Sequence, residues 1–526
     1  MILSVMVVSE RVLFSEPDDT QTPHETEAKQ HEQDLKQKAR AKRKQNEKEN
    51  GNGKKTGSIQ PSVSTHEITI DGETVQYRAE AGTLDISLGQ GEKKKQANVF
   101  YIAYTRTDVS GDGRRPLMFS FNGGPGSSSV WLHIGALGPK RVQMPDDLTH
   151  PQPPYSITSN PYSLLDTTDI VFIDPVSTGY SEAAGETDAK WFHGVRNDIR
   201  SVGRFIHQYV TRNNRWGSPK FLIGESYGTT RAAGLTLHLQ ERYGMDLNGV
   251  MLVSPILNFR LFSGDSDLEH VLRLPTYTAT AWYNDALSEE LLDRELPALL
   301  EDVEQFAEGA YAQVLMQGRT VSEEARTDVV KKLAKYTGLS EKYIRREDLR
   351  VPMRRYNKQL LREQNRVVGR FDSRFLGSEA DQADDSYAHD PSYNAIYGPF
   401  TEGMYRVLRN HLNVQSNRVY EVLNRSVHPW DAGRFESMSN VDMTGRLRKA
   451  MHQSPHLKVH FASGYYDHAT PYFASDYTIR HMDLSERARS NISTSYYRAG
   501  HMMYLTDDSM EKFRREIRSF VREATR

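Results

Sequence analysis

The sequence contains no cysteine among its 526 residues. A disulfide-stapled fold, a thiolate metal site and a cysteine nucleophile are therefore excluded. No apolar run reaches about 18 residues, so the sequence predicts no transmembrane helix. Charges nearly cancel, with 67 Lys and Arg against 69 Asp and Glu. This balance argues against a protein dedicated to binding nucleic acid.

The first 60 residues lack the features of a folded segment. Residues 1–8 are apolar but short, and no basic segment precedes them, which makes them a poor signal peptide. Residues 16–58 are almost free of large apolar side chains, and the basic stretch at 36–44 has no interspersed aromatics. Such a stretch cannot bury enough surface to offset the entropy of ordering. We therefore predict a disordered, charged tail at residues 1–60, solvated rather than bound to nucleic acid.

Short apolar runs separated by helical patterns recur along the rest of the chain. Residues 67–79 alternate around the turn signal Asp71-Gly72 and predict a hairpin. Further strands are predicted at 99–105, 116–121, 169–173, 221–223, 250–253 and 459–462. This alternation predicts an α/β fold whose mostly parallel sheet has helices on both faces.

Residues 261–444 have a different, mainly helical pattern, and strand-like runs return only near Val459. We therefore predict a mainly helical cap at 261–444. It would be inserted between two parts of the sheet domain, at 61–260 and 445–526.

One helix of this cap carries clear end signals. Residues 320–337 show a helical apolar face, and Thr320 with Glu323 has the spacing of a capping box. Gly338 is the predicted terminator.

The strongest local signal is a G-x-S-x-G pattern, Gly224-Glu225-Ser226-Tyr227-Gly228. It follows the apolar strand at 221–223 and precedes a predicted helix at 229–243. A sharp strand-to-helix turn lifts the serine Oγ out of the sheet, and the helix N-terminus favours developing negative charge. The sequence therefore predicts an α/β-hydrolase fold with Ser226 as the nucleophile.

A serine nucleophile needs a base, and this fold orders its triad as serine, acid and histidine along the chain. His501 follows a β-prone run at 494–498 near the C-terminus. Asp467 lies between Ser226 and His501, shortly after the strand at 459–462. On chain order we assign His501 as the base and Asp467 as the acid that orients it. A structural role for either residue is the alternative.

A second glycine-rich segment, N-G-G-P-G-S-S-S at residues 122–129, follows the strand at 116–121. A phosphate loop or a plain tight turn is the alternative, but the lysine and spacing of a Walker loop are missing. A hydrolase needs a backbone N–H from an early loop to bind the oxyanion, and glycine permits that close approach.

Together these motifs resemble those of the serine carboxypeptidases, peptidase family S10. Residues 122–129 are similar to the family's N-G-G-P-G-C-S-S, and residues 224–228 match G-E-S-Y-G. The family's G-x-x-D and G-H-M correspond to residues 464–467 and 500–502. The matches run in family order from about residue 115 to about 505, with two further similar segments at 160–163 and 174–181.

The resemblance implies a role for each matched residue. Ser226 attacks the carbonyl carbon, His501 is the base and Asp467 orients it. The oxyanion hole is formed by backbone N–H groups of Gly124 and Tyr227. The implied substrate-binding residues are Asn122 and Glu225, which hold the terminal carboxylate, together with Gly123 and with Met502, which borders the pocket for the departing residue.

The role implied for Glu225 makes physical sense. Two facing carboxylates repel each other unless one holds a proton. A protonated Glu225 can donate a hydrogen bond to the substrate, which would favour acid pH and free C-termini.

Two positions depart from the family pattern. Ser127 replaces the motif cysteine, so the loop must be held by packing instead of a disulfide. Ala136 replaces a glutamate that normally supports the carboxylate-binding pair. The second change puts acid-pH dependence and strict exopeptidase selectivity in question, but not the triad.

We predict a serine-type carboxypeptidase that removes C-terminal residues from peptides or proteins through an acyl-enzyme intermediate. An esterase or acyltransferase on the same fold is the alternative, followed by a non-catalytic binding protein, which would normally lack a triad member. No metal, cofactor or nucleic-acid partner is predicted. The resemblance suggests export to the periplasm or medium, and a cytoplasmic location is the alternative.

Overall fold

A computed structural model describes residues 57–109, 114–264, 266–379 and 383–526. The tail predicted at 1–60 therefore lies almost entirely outside the described residues. The strands are β1 (Ser62–Ile70), β2 (Glu73–Leu88), β3 (Lys95–Arg106), β4 (Leu117–Phe121), β5 (Lys140–Val142), β6 (Ile157–Ser159), β7 (Asp169–Ile173), β8 (Glu182–Ala184), β9 (Lys220–Glu225), β10 (Gly249–Val253), β11 (Arg366–Val368), β12 (Leu376–Ser378), β13 (Lys458–Gly464) and β14 (Ile492–Tyr497).

The α-helices follow the same chain order. They are α1 (Val130–Leu132), α2 (Val195–Arg212), α3 (Tyr227–Tyr243), α4 (Asp267–Tyr283), α5 (Glu289–Leu292), α6 (Leu296–Phe306), α7 (Ala312–Gln317), α8 (Glu323–Thr337), α9 (Glu341–Arg346), α10 (Met353–Gln359), α11 (Pro391–Arg406), α12 (Thr444–Gln453), α13 (Tyr472–Arg480), α14 (Glu486–Arg489) and α15 (Asp507–Ala524). Across the described ranges, no helix combines the length and apolar character needed to cross a membrane.

One large sheet organises the chain, in the order β1-β2-β3-β7-β4-β9-β10-β13-β14, with β8 paired to β3. The first three strands run antiparallel, and β1 and β2 form the predicted hairpin around Asp71 and Gly72, both at positive φ. From β7 to β14 every neighbouring pair is parallel. The prediction of a mostly parallel α/β sheet is confirmed.

The central strands are buried on both faces, which explains why their sequences are continuous apolar runs. Alternate residues point to opposite faces: Phe221 and Ile223 of β9 belong to one apolar core, whereas Leu222 belongs to the other. Helix α15 packs on the first face, and α2 and α3 pack on the second. Because parallel strands end at the same edge, the loops after them meet there.

Between β10 and β13 the described chain is mainly helical, interrupted by the short β11–β12 hairpin. The predicted helix at 320–337 begins later than the sequence indicated. Residues 318–320 form a separate 3-10 turn, and the Ser322 hydroxyl caps α8 by accepting the Ala325 N–H. Ser322 therefore replaces Thr320 as the cap. Gly338 ends the helix in the left-handed conformation, as predicted.

A buried ion pair ties the second face to the loop after β4. Arg231 of α3 is 1% exposed, and its Nε donates to Asp198 Oδ2 at 2.8 Å. Its Nη1 donates to the backbone oxygen of Asn122 at 2.5 Å. One guanidinium thus joins α2, α3 and the loop that begins at Asn122.

Replacing this cation should destabilise the fold. Arg231→Met leaves Asp198 buried without its partner, and we expect the free energy of unfolding to fall by about 3–5 kcal/mol. The control Lys449→Met removes an exposed pair with Glu241 and should change the free energy of unfolding little. Denaturant unfolding of both variants measures the difference, and equal losses would contradict a structural role for the buried pair.

Candidate active site

The backbone at Ser226 adopts a strained conformation between a strand and a helix. Strand β9 ends at Glu225 and α3 begins at Tyr227, with Ser226 between them at φ 58° and ψ −129°. Non-glycine residues seldom adopt positive φ, and such strain concentrates at functional sites. Hydrogen bonds hold the turn, because the Ser226 N–H donates to Val253 O at 3.0 Å and its carbonyl accepts from Thr229.

The loop after β4 approaches this turn so closely that only glycine fits. A Cβ on Gly123 would lie 2.4 Å from the backbone nitrogen of Tyr227. Tyr227 is the first residue of α3, so its N–H has no acceptor within the helix. Gly124, at φ 101°, lines the same cavity as Ser226 and Tyr227. The backbone groups predicted for the oxyanion hole are thereby brought to one place.

Hydrogen bonds, in addition to packing, hold the loop that carries Ser127. The Ser127 hydroxyl accepts from Trp131 Nε1 at 2.8 Å, and its N–H donates to Gly123 O at 3.1 Å. The Ser128 N–H donates to Val422 O at 3.1 Å. In place of the missing disulfide, hydrogen bonds therefore supplement the packing predicted for this loop.

The predicted base and acid are in direct contact. His501 Nδ1 lies 2.7 Å from Asp467 Oδ2, and both side chains are buried. Asp467 also accepts from the backbone N–H groups of Ala469 and Thr470 and from the Thr470 hydroxyl, at 2.6 to 3.0 Å. A carboxylate only accepts, so the imidazole proton sits on Nδ1 and Nε2 is left as the basic nitrogen.

A cavity of about 460 Å³ gathers the predicted site residues. Those that line it are Asn122, Gly123, Gly124, Glu225, Ser226, Tyr227, His501 and Met502. Asp467 lies behind His501, where its hydrogen bond places it. The structure therefore assembles all the predicted site residues, which the sequence scatters from Asn122 to Met502. Their individual roles stay predictions.

Glu225 is a buried acid beside the nucleophile. It is 3% exposed, and burial raises its pKa to about 7, an effect that the nearby His501 partly opposes. Its Oε2 accepts the hydroxyl of Tyr504 at 2.6 Å, which also lowers the pKa. Asn122 lines the same cavity, its Oδ1 accepts the Leu132 N–H at 3.1 Å, and a hydrogen bond from its side chain lowers the pKa of Glu225 further.

Tyr504 is the site residue that sequence reasoning missed. It is fully buried and packs against Gly135, the residue before Ala136, because a Cβ on Gly135 would lie 2.5 Å from the Tyr504 ring. A tyrosine hydroxyl from the loop after β14 thus contacts Glu225. Its place three residues after His501 was the available signal.

The helical interval also contributes to the cavity in ways that the sequence did not reveal. The Phe371 ring lies 5.0 Å from the His501 ring. The backbone carbonyl of Phe371 accepts the backbone N–H of His501 at 2.6 Å. Arg370, Tyr393 and Arg425 line the wall. No local motif marks these residues, since they reach the site only through the fold.

The sheet, the strand-to-helix turn at Ser226 and the histidine–acid pair define a serine hydrolase of the α/β-hydrolase fold. The family model described as serine carboxypeptidase matches residues 71–508. The chain therefore belongs to the serine carboxypeptidase family.

Curated relatives match a shorter part of the chain. Serine carboxypeptidase-like 36 of Arabidopsis thaliana is 28% identical over 169 residues, which is 31% of this chain and 33% of that protein. Carboxypeptidase Y homolog A of Pyrenophora tritici-repentis is 31% identical over 158 residues, or 28% of this chain and 25% of that protein. The alignments thus span a third or less of these relatives.

A solved structure shares the fold. Kex1(delta)p, a prohormone-processing carboxypeptidase from Saccharomyces cerevisiae, superposes with a TM-score of 0.54 at 15% sequence identity. The match covers 85% of this chain and 91% of the yeast chain. At this identity the likeness shows the fold alone.

Labelling with a fluorophosphonate probe tests the nucleophile and its base. Ser226→Ala should abolish labelling, and His501→Ala should slow it by about a thousandfold or more, because the base activates the serine. The control His481→Ala removes an exposed histidine and should label at the parent rate. If His501→Ala keeps more than about a tenth of the rate, the assignment of the base is wrong.

Proposed function

We propose that this protein is a serine-type carboxypeptidase that removes C-terminal residues from peptides. The observation that carries the proposal is the buried acid Glu225 beside Ser226, which lines the same cavity as the side-chain amide of Asn122. An endopeptidase or a general esterase has no need of such a pair. An exopeptidase needs it to bind the free carboxylate of its substrate.

The chemistry would follow the acyl-enzyme route. Ser226 Oγ attacks the scissile carbonyl carbon while His501 Nε2 takes its proton, and Asp467 stabilises the imidazolium. The oxyanion of the tetrahedral intermediate accepts hydrogen bonds from the N–H groups of Gly124 and Tyr227. His501 then protonates the departing amino group, and a water molecule hydrolyses the acyl-enzyme with His501 again as the base.

Glu225 would hold the substrate carboxylate as a neutral acid. With its pKa raised to about 7, most of it is protonated at mildly acid pH. The proton can then be donated to the substrate carboxylate, as can a proton of Asn122 Nδ2. Above pH 7 two negative charges would face each other in a buried site, so binding weakens as pH rises.

The helical interval at 261–444 would act as the cap that selects substrates. Its contribution to the cavity wall is Arg370, Phe371, Tyr393, Ile396, Leu423, Arg425 and His428. These residues combine aromatic surface with two guanidinium groups. The cap therefore offers contacts for substrate side chains, whereas the loops that follow the sheet strands supply the chemistry.

Matched peptides that end in a free carboxylate or an amide test the proposal. The free acid should be the better substrate below pH 7, and its kcat/KM should fall as pH rises through about 7 because Glu225 then loses its proton. The amide should show no comparable fall. Glu225→Gln keeps a hydrogen-bond donor at every pH, so its free-acid profile should be flatter.

Parallel pH profiles for the parent and Glu225→Gln on the free acid would contradict this role of Glu225. Equal turnover of the acid and the amide, with retained cleavage of simple esters, would instead support the esterase alternative.

Tyr504→Phe isolates the hydrogen bond to Glu225. The hydroxyl favours the ionised carboxylate, so its loss should raise the pKa of Glu225 and move the fall in free-acid kcat/KM to higher pH, by about one pH unit. Tyr497→Phe is the control, since it removes another buried hydroxyl, which accepts from Ser495 at 3.1 Å. A shift to lower pH, or equal profiles for both variants, would contradict the role of Tyr504.

A further inference from the structure

A second cavity, of about 770 Å³, lies between α2, α3 and the segment leading into α12. Four arginines line it, two from α2 and two from residues 434–446: Arg196, Arg200, Arg434 and Arg446. His238 of α3 lines it as well. Asp431 is the one carboxylate among the lining residues, and it accepts the Gly433 N–H at 2.7 Å. None of these residues lines the cavity at Ser226.

The arginines on α2 repel one another, which destabilises the protein when no anion is bound. Arg196, Arg200 and Arg204 occupy positions i, i+4 and i+8 of α2, so they form a stripe of like charge along one helix face. Like charges at this spacing destabilise a helix. Within the described ranges, none of the four lining arginines forms an ion pair with a carboxylate. Arg200 and Arg434 instead lie over aromatic rings, those of Trp191 and Phe435.

The positive charges of the cluster lower one another's pKa values. Burial lowers the pKa of Arg446 and the charge of Arg434 lowers it further, and burial and Arg196 do the same for the pKa of Arg200. Burial, Arg446 and Arg200 together lower the pKa of His238 to about 4. The negative charge of Glu241 raises the pKa of Arg446 and of His238. However, Glu241 forms its ion pair with Lys449, at 2.6 Å, and not with an arginine of the cavity.

Two polar atoms of the cluster are buried without a partner among the described residues, namely Arg446 Nε and His238 Nε2. Buried polar atoms are normally hydrogen-bonded, so these two atoms show that the residues around the cavity do not satisfy one another. A bound group with negative charge would offset the repulsion between the arginines.

We propose that this cavity binds a small anion that carries two or more phosphate or carboxylate groups. Guanidinium groups bind phosphate and carboxylate oxygens through two parallel hydrogen bonds, and four arginines line this one concavity. The volume lies within the range of about 300–1,000 Å³ that is usual for small-molecule sites. The proposal does not depend on catalysis at Ser226.

Calorimetric titration of the full chain with sodium tripolyphosphate tests the proposal, with citrate in a parallel titration and sodium chloride at matched ionic strength as the blank. We expect saturable binding and a rise in melting temperature of a few degrees at about a hundredfold excess over the dissociation constant. Binding of tripolyphosphate alone would identify phosphate as the recognised group. Equal binding of citrate would show recognition of clustered negative charge.

Substitutions locate the site. Arg200→Gln and Arg446→Gln should each weaken binding about tenfold or more, because each removes charged hydrogen bonds. Arg448→Gln is the matched control: it lies on the same helix as Arg446 but pairs with Asp483 on the surface, at 3.0 Å. It should change affinity less than about twofold.

The unliganded variants provide a check on folding. Removing one of several repelling cations should leave the melting temperature of Arg446→Gln unchanged or higher. Tripolyphosphate that binds no better than the chloride blank would overturn the proposal. Equal weakening by Arg446→Gln and Arg448→Gln would overturn it as well, because it would show attraction to overall charge and not to this cavity.

Discussion

The architecture of the site depends on one close contact, between the backbone of Gly123 and the backbone that follows Ser226. A Cβ on Gly123 would lie 2.4 Å from the Tyr227 nitrogen, so no side chain can separate the two segments. Donors for an oxyanion must converge on one point, so the contact sets where the chemistry can occur. Arg231 secures the contact, since its guanidinium binds the Asn122 carbonyl and the buried Asp198 together. The buried ion pair between Arg231 and Asp198 thus helps to fix the backbone at Asn122.

Burial of Glu225, the acid next to Ser226, supports the proposed function but lowers the stability of the fold when this acid is ionised. The folded state holds the proton of Glu225 more tightly than an unfolded chain would, because burial raises its pKa to about 7. The contribution of this group to stability is therefore present at low pH and is lost as pH rises through about 7. Tyr504 moderates the penalty by donating a hydrogen bond to the ionised form. Protonation of Glu225 consequently affects both the proposed binding of the substrate and the pH dependence of stability.

Local and chain-order signals account for what the sequence predicted well. Continuous apolar runs marked the parallel strands, and the chain order identified Ser226 and His501, which line one cavity, and Asp467, which contacts His501 from behind. What the sequence did not reveal depends on long-range contact. Tyr504 meets Glu225 across 279 positions, and no motif encodes that distance. The sequence predicted the wrong N-cap for α8 because Thr320 and Ser322 are both good capping residues. The backbone conformation at Ser322 makes this residue the cap.

The absence of cysteine gives the loop at 122–129 a particular dependence on the helical interval. Its backbone pairs with residues 422–424 through the Ser128 N–H and the Gly126 carbonyl, at 3.1 and 2.8 Å. The same stretch places Leu423 and Arg425 in the wall of the cavity. Ser127 and Val422 are separated by 295 positions, so this junction is a long-range contact. Hydrogen bonds, not a covalent bridge, therefore join the wall of the cavity to the loop that carries the Gly124 N–H group.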